Sequence, residues 1–428
     1  MSKEITLKEY EFLQTKYESD LHYIEEQSFG ELENFVLQNE ETSQYLKLTT
    51  KRGFGKVLQA QNYVGVIQTK DGTTIEILPK IKNLESRVLK EILVKMLKTL
   101  KKSPFKHLGS ANLKASKLPL LEIFIGMFLE ALAKLIRKGI KSEYIAQEEN
   151  LQFLKGKLKL TQQLRYNSIH KERFFVEYEE FSRNRVENRL IKATLEYLYK
   201  KSKLNSNQQK IREFLFVFDE ITVSQNIKND FSKVQKNRQM KSYTEVLEYA
   251  EIFLLGNSFS PYKGDTVAFA LLFDMNLLFE SYVGAYLRKK GLEVQFQDKG
   301  KYLVEKPNRF ALRPDFVINR DTEDEIIADT KYKNIASYRD VSQADMYQLY
   351  AYGTKYKKTS QLYLIYPKSD ALKLETSSYI ENELHLDILF FDIEKGFEQD
   401  MSRWNKLLLT PPLKQEPYSG NVSHLDSV

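Results

Sequence analysis

Between Leu312 and Lys333 the chain reads LRPDFVINRDTEDEIIADTKYK: two short apolar runs, each with one aspartate, joined by the polar linker Arg320–Asp324. Side chains of a strand alternate faces, so Ile327, Asp329 and Lys331 share one face, and Ile326, Ala328 and Thr330 the other. With the linker as a hairpin loop centred on Thr322, Val317 faces Ile327 and Asp315 falls opposite Asp329. That register is demanding, because a slip of one residue carries one aspartate to the other face. Either half alone reads as a surface ion pair or a turn dipeptide. Both together, 14 residues apart and each in an apolar run, read as a site. Two carboxylates with Cβ atoms about 5 Å apart repel, and more strongly when partly buried. A divalent cation relieves this, and Mg²⁺ takes one or two carboxylates plus waters and phosphate oxygens. Lys331 stands beside the pair, placed to hold a phosphate oxygen or an attacking water. The set suits metal-assisted hydrolysis of a phosphodiester.

The rest of the 428 residues narrows the chemistry by exclusion. There is no cysteine, which removes disulfides, thiolate-held metals and a cysteine nucleophile. The five histidines are scattered, with no metal-binding spacing. No G-x-x-x-x-G-K-[ST] occurs: Gly156-Lys157 lacks both the upstream Gly and the downstream Ser/Thr. The N-terminus shows no apolar core of a signal peptide. The most apolar stretch, Pro119–Ile136, carries Glu122, Glu130 and Lys134, which favours a buried helix over a membrane span. These readings predict a cytoplasmic protein that makes no use of a membrane.

Composition shifts divide the chain. Tyr45–Thr50, Gly55–Ala60, Tyr63–Thr69 and Thr73–Leu78 read as strands, the last two joined by a hairpin at Asp71-Gly72. Helices are expected over Leu84–Leu100, Pro119–Arg137 (closed by Gly139), Glu187–Lys200, Tyr243–Leu255, Ala268–Arg288 and Ser342–Tyr356. Asn205–Gln209 reads as a polar break. Strands are expected at Gly291–Gln297, Ala311–Ile318, Glu325–Tyr332 and Gln361–Tyr366. The turn-rich Asn257–Asp265 marks a boundary. The expectation is an α+β multidomain chain: a β-rich region at 1–83, a helical and β basic region at 84–262, a mixed α/β domain at 263–410 and a disordered tail at 411–428. Net charge is +7, and residues 151–240 alone hold 19 Lys+Arg against 10 Asp+Glu, interleaved with aromatics. That pattern fits a polyanion-binding face or a solvated helical one.

The motif Pro314-Asp315 … Asp329-Thr330-Lys331, within the order α-β-β-β-α-β, resembles the PD-(D/E)xK nucleases. Gln348-Leu349-Tyr350-Ala351-Tyr352 looks like the Q-x-x-x-Y element of RecB-type members, and Asp345, Gln348 and Tyr352 share one helical face. The preceding helix, FDMNLLFESYV, carries Glu280, which matches the Glu that often completes the metal site in that superfamily. Tyr63–Lys80, Glu149–Asn167 and Arg173–Lys192 extend the resemblance to the McrC family, nuclease subunits of McrBC-type modification-dependent restriction systems.

The resemblance implies a C-terminal PD-(D/E)xK domain with a mixed central sheet that cuts double-stranded DNA. It implies Mg²⁺ on Asp315, Asp329 and Glu280, with Lys331, Gln348 and Tyr352 as catalytic residues. It further implies a stalk that enters a hexameric McrB-like AAA+ GTPase and stimulates it. The basic segment 151–240 would then line the DNA path or face the ring. Two other functions fit parts of the pattern: a GTPase-activating adaptor with a vestigial nuclease fold, and a stand-alone RecB-like repair nuclease.

Overall fold

The computed structural model describes residues 4–16, 22–38, 43–81, 84–100, 103–107, 118–235, 237–255, 269–368, 378–381 and 384–397. The expected boundary at Asn257–Asp265 and the tail from residue 411 lie outside them. The chain divides into two compact units between Ser281 and Tyr282.

The first unit opens with β1 (Glu4–Lys8), β2 (Phe12–Gln14), β3 (His22–Tyr23) and α1 (Glu26–Gln38). Four strands follow, β4 (Leu46–Lys51), β5 (Gly55–Ala60), β6 (Tyr63–Gln68) and β7 (Thr74–Leu78), then the helices α2 (Ser86–Leu97) and α3 (Leu120–Lys138). Next come β8 (Glu143–Leu151), β9 (Lys157–Leu158), α4 (Leu160–Tyr166) and β10 (Phe174–Ser182). Four helices, α5 (Val186–Lys201), α6 (Asn205–Val217), α7 (Ile227–Lys233) and α8 (Thr244–Leu255), precede β11 (Phe269–Asp274) and α9 (Met275–Lys289).

The sheets run β1-β7-β6-β11, β3-β2-β5-β4 and β8-β10-β9. The first two share a core that includes Leu7, Leu13, Phe35, Leu58, Ile67 and Leu272. Gly139 ends α3 at φ 90°, as its position predicted. Two expectations are corrected. Asn205–Gln209 is not a break but the first turns of α6, whose entry is bound by the buried Glu122: its carboxylate accepts from the backbone N–H of Lys203 (2.5 Å) and Leu204 (3.1 Å) and from the Asn207 side chain (2.8 Å). The start of the expected helix Ala268–Arg288 is instead the strand β11 (Phe269–Asp274), paired antiparallel with β6. Ala268–Phe273 is apolar throughout, and periodicity cannot tell a buried strand from a buried helix over so short a run.

The second unit contains the rest of α9 and then β12 (Val294–Phe296), β13 (Lys301–Glu305), β14 (Asn308–Leu312), β15 (Phe316–Ile318) and β16 (Ile326–Thr330). After these come α10 (Gln343–Lys355), β17 (Gln361–Pro367), β18 (Ser378–Glu381), β19 (Leu384–Asp392) and β20 (Gly396–Phe397). Its main sheet is mixed, in the order β12-β15-β16-β17-β19-β18 with β20 on β19. The strands β12, β15 and β16 form an antiparallel meander, and β16, β17 and β19 are parallel. A parallel pair requires a crossover, and α10 supplies it between β16 and β17. Leu349 and Tyr352 of α10, and Tyr356 just after it, bury against Val317, Ile327, Leu362 and Leu364. The expected single strand Ala311–Ile318 is two strands. Pro314 offers no N–H to a ladder, so β14 stops at Leu312 and pairs with β13, and β15 starts afresh at Phe316.

Candidate active site

The register of β15 on β16 places Phe316 opposite Ala328, Val317 opposite Ile327 and Ile318 opposite Ile326. This is the expected pairing, and the ladder extended by one step sets Asp315 against Asp329. The linker closes tightly around it: Asn319 and Asp321 have φ of 50° and 62°, values that Asn and Asp tolerate better than most residues.

Asp315 lies just before β15, and its carboxylate turns toward the end of β16. Oδ2 accepts from the Thr330 N–H (2.7 Å) and from the Thr330 hydroxyl (2.6 Å). Asp329 is 2% exposed. Burial, followed by the nearby charge of Asp315, pushes its carboxyl up to about 7, while Lys331 opposes the rise. Burial likewise raises Asp315, against its bonds to Thr330. A buried carboxylate raised by desolvation and by the charge of a second one beside it is a seat that favours a cation.

One cation of the chain is already nearby. Lys331 Nζ sits 2.6 Å from Asp329 Oδ2 and 4.0 Å from Asp345 Oδ1, and it donates to Gln348 Oε1 at 3.1 Å. Gln348 Nε2 in turn donates to the Tyr352 hydroxyl at 2.6 Å. The carboxylates hold the Lys331 ammonium above the ordinary lysine range despite burial, so it is charged at neutral pH. Tyr352 is raised by burial, then by Asp329, and stays a neutral phenol. Apart from the Lys331 contact, Asp329 Oδ2 is buried without a hydrogen-bond donor.

The fold thus gathers Asp315, Asp329, Lys331, Gln348 and Tyr352 into one connected set. Glu280 is buried in α9 and belongs to the first unit. Among the described residues no three His, Asp or Glu side chains come together as a metal-binding group. Thr330 and Lys333 escaped the sequence reading, and Asp345 was placed on the site-facing helical face without a role. Thr330 was assigned to the far face. Asp345 and Lys333 form an ion pair at 3.2 Å beside Lys331.

A family model described as McrBC 5-methylcytosine restriction system component matches residues 58–367. The chain belongs to that family. Comparison with curated proteins found no match. Two solved structures are similar to this McrBC-family chain. One is a chain of a half-complex from a tetradecameric assembly of Thermococcus gammatolerans McrB AAA+ hexamers with bound McrC, at TM-score 0.69 and 17% identity, covering 95% of this chain and 99% of that one. The other comes from the Thermococcus gammatolerans McrBC complex, at TM-score 0.52 and 21% identity, covering 69% and 90%. Both matches are likenesses of fold.

A second surface of the McrBC-family chain lies in the first unit. The sheet β8-β10-β9 with α4 exposes Tyr144, Leu160, Leu164, Tyr166, Ile169 and Phe181, with Ile169 at 86%. Gly156 is locked in place there: φ is +71°, and a Cβ would stand 2.4 Å from the Glu177 carbonyl oxygen. Apolar side chains left this open, together with lysines and arginines, mark a contact surface rather than a core. Among the described residues no helix is long and apolar enough to cross a membrane.

Proposed function

We propose that this chain is the DNA-cutting subunit of a GTP-driven McrBC-type restriction complex, a Mg²⁺-dependent endonuclease whose second unit is a PD-(D/E)xK domain. The observation that carries the reading is the continuous contact from the Asp315–Asp329 pair through Lys331 and Gln348 to Tyr352, reached from three separate elements. An ordinary surface ion pair needs neither a buried carboxylate beside a half-buried one nor a glutamine holding its lysine.

The residues fit Mg²⁺ in a sparse way. Asp315 and Asp329 would hold the ion, with water and substrate phosphate completing its sphere. What the cation supplies when bound is neutralisation of phosphate charge and a more acidic water. The protein's own groups do the rest. Lys331 presents a charged donor to the phosphate as negative charge develops there. Gln348 fixes the direction of that donor, and Tyr352 fixes Gln348. Thr330 holds the Asp315 carboxylate so that one oxygen remains for the cation. Burial of the pair keeps bulk water from screening these interactions.

The partner in this reading is a McrB-like AAA+ GTPase hexamer, supported by the likeness to a chain from an assembly of McrB AAA+ hexamers with bound McrC and to one from an McrBC complex. The module Glu143–Ser182 is the surface offered to that ring, since it exposes apolar side chains that a lone chain gains nothing by exposing. Duplex cleavage by the purified chain tests the whole reading. Cutting should require Mg²⁺, GTP and the GTPase together. Degradation of DNA ends with Mg²⁺ alone would favour a stand-alone repair nuclease. Stimulated GTP turnover with no cutting would favour an adaptor.

A further inference from the structure

Away from the carboxylates, the second unit holds a cavity of about 750 Å³ between the hairpin β13–β14, the linker before β16 and the C-terminal end of α10. It lies at the opposite end of β16 from Asp329. Lys301, Arg320, Lys355, Lys357 and Lys358 line it, against the carboxylates of Glu305, Asp321 and Glu325. The buried Asp298 organises one wall, accepting from the Tyr356 hydroxyl (2.7 Å) and from Arg320 (2.6 Å). Lys355 pairs with Glu305 at 3.2 Å. Lys301, Lys357 and Lys358 face no carboxylate within ion-pair distance among the described residues, and Lys358 donates only to the Asp321 carbonyl.

The hairpin over the cavity stands out from the body of the unit. Leu312 is its one buried strand residue, and Phe310 is 70% exposed. Residues 299–313 carry five cations, Lys299, Lys301, Lys306, Arg309 and Arg313, against Glu305 alone. A two-stranded ribbon with so little buried surface is marginal by itself, and its charge points to a polyanion. From Gln348 to Lys355, α10 climbs about 10 Å at 1.5 Å per residue. That distance is about three steps of a DNA strand.

We propose that this cavity and its hairpin form a second DNA contact, gripping the phosphodiester backbone about three nucleotides from the cut. The contact deepens the hydrolytic reading above, from which its ligand is taken. Its test is binding without cleavage: fluorescence anisotropy of a labelled duplex on the full chain carrying Asp329→Asn, in EDTA, across a salt series. Adding Lys301→Glu, Lys357→Glu and Lys358→Glu should weaken binding at least tenfold and flatten the slope of log affinity against log salt by about two to three. The milder triple change to Gln, with its melting temperature checked, should give a smaller loss in the same direction. Unchanged affinity and slope would overturn the proposal. So would saturable binding of GTP or inorganic phosphate that the triple variant loses while duplex binding stays intact. Since the readout uses a chain disabled at Asp329, failure of the hydrolytic reading and failure of this one are separate results.

Discussion

At the scale of the residue, Asp329 carries most of the account. Its carboxyl ordinarily ionises near 3.8 and is pushed up to about 7 by burial and by Asp315. The folded chain therefore holds this proton more tightly than the unfolded chain does. The resulting stabilisation is complete below the unfolded value and is lost as pH rises through about 7. Without divalent cation, melting temperature should fall between pH 4 and 7 through this group, and Asp329→Asn should flatten the fall. At pH 8 the variant should be the more stable by on the order of 1–3 kcal/mol. Adding Mg²⁺ should raise the melting temperature of the parent and leave the variant unmoved. Equal pH profiles for the two proteins would remove the buried, strained carboxylate from the account. Lys331→Ala should lower cutting by a factor on the order of 10²–10³, the range for a lost charge-stabilising donor. Tyr352→Phe, which only unties Gln348, should cost far less, and single-turnover rates on one duplex would rank them. The aspartates could be read from sequence because strand alternation and a short linker leave one register. Thr330 could not, because Asp315 sits just outside the ladder and reaches around its end, where alternation no longer governs direction.

At the scale of the element, what the sequence discloses depends on how far apart the pairing partners are. The hairpin β6–β7 and the pair β15–β16 close over short turns and follow from turn residues and alternation. The parallel pairing of β1 with β7 and the antiparallel pairing of β6 with β11 join distant segments, and no local pattern announces them. The residue Gly65 bears the mark of the second pairing. Its φ is +140°, and a Cβ there would stand 2.0 Å from the Leu271 carbonyl oxygen. The contact is with backbone and cannot swing aside. Gly65→Ala should therefore destabilise the first unit by about 2 kcal/mol or more, combining overpacking with strain. Chemical denaturation would measure it, and a change within about 0.5 kcal/mol, as at an ordinary surface site, would deny that close approach.

At the scale of the whole molecule, the α+β class and the family were legible, because the informative passages are spread over most of the chain. The division of labour between the two units was not. The basic and aromatic character of 151–240 suited either DNA or a protein ring, and the exposed apolar side chains of β8, α4 and β10 are what support the ring in the proposed function. Leu164→Glu with Ile169→Glu should abolish stimulation of the GTPase partner while circular dichroism and melting stay as in the parent, since neither side chain is packed. Undiminished stimulation would move the partner surface elsewhere. The most direct measurement of the central claim sets two activities of one variant side by side. Asp329→Asn, mixed with the GTPase, GTP, Mg²⁺ and a cleavable duplex, should leave GTP turnover stimulated as in the parent and cut no DNA. A variant that cuts at the parental rate would contradict the account.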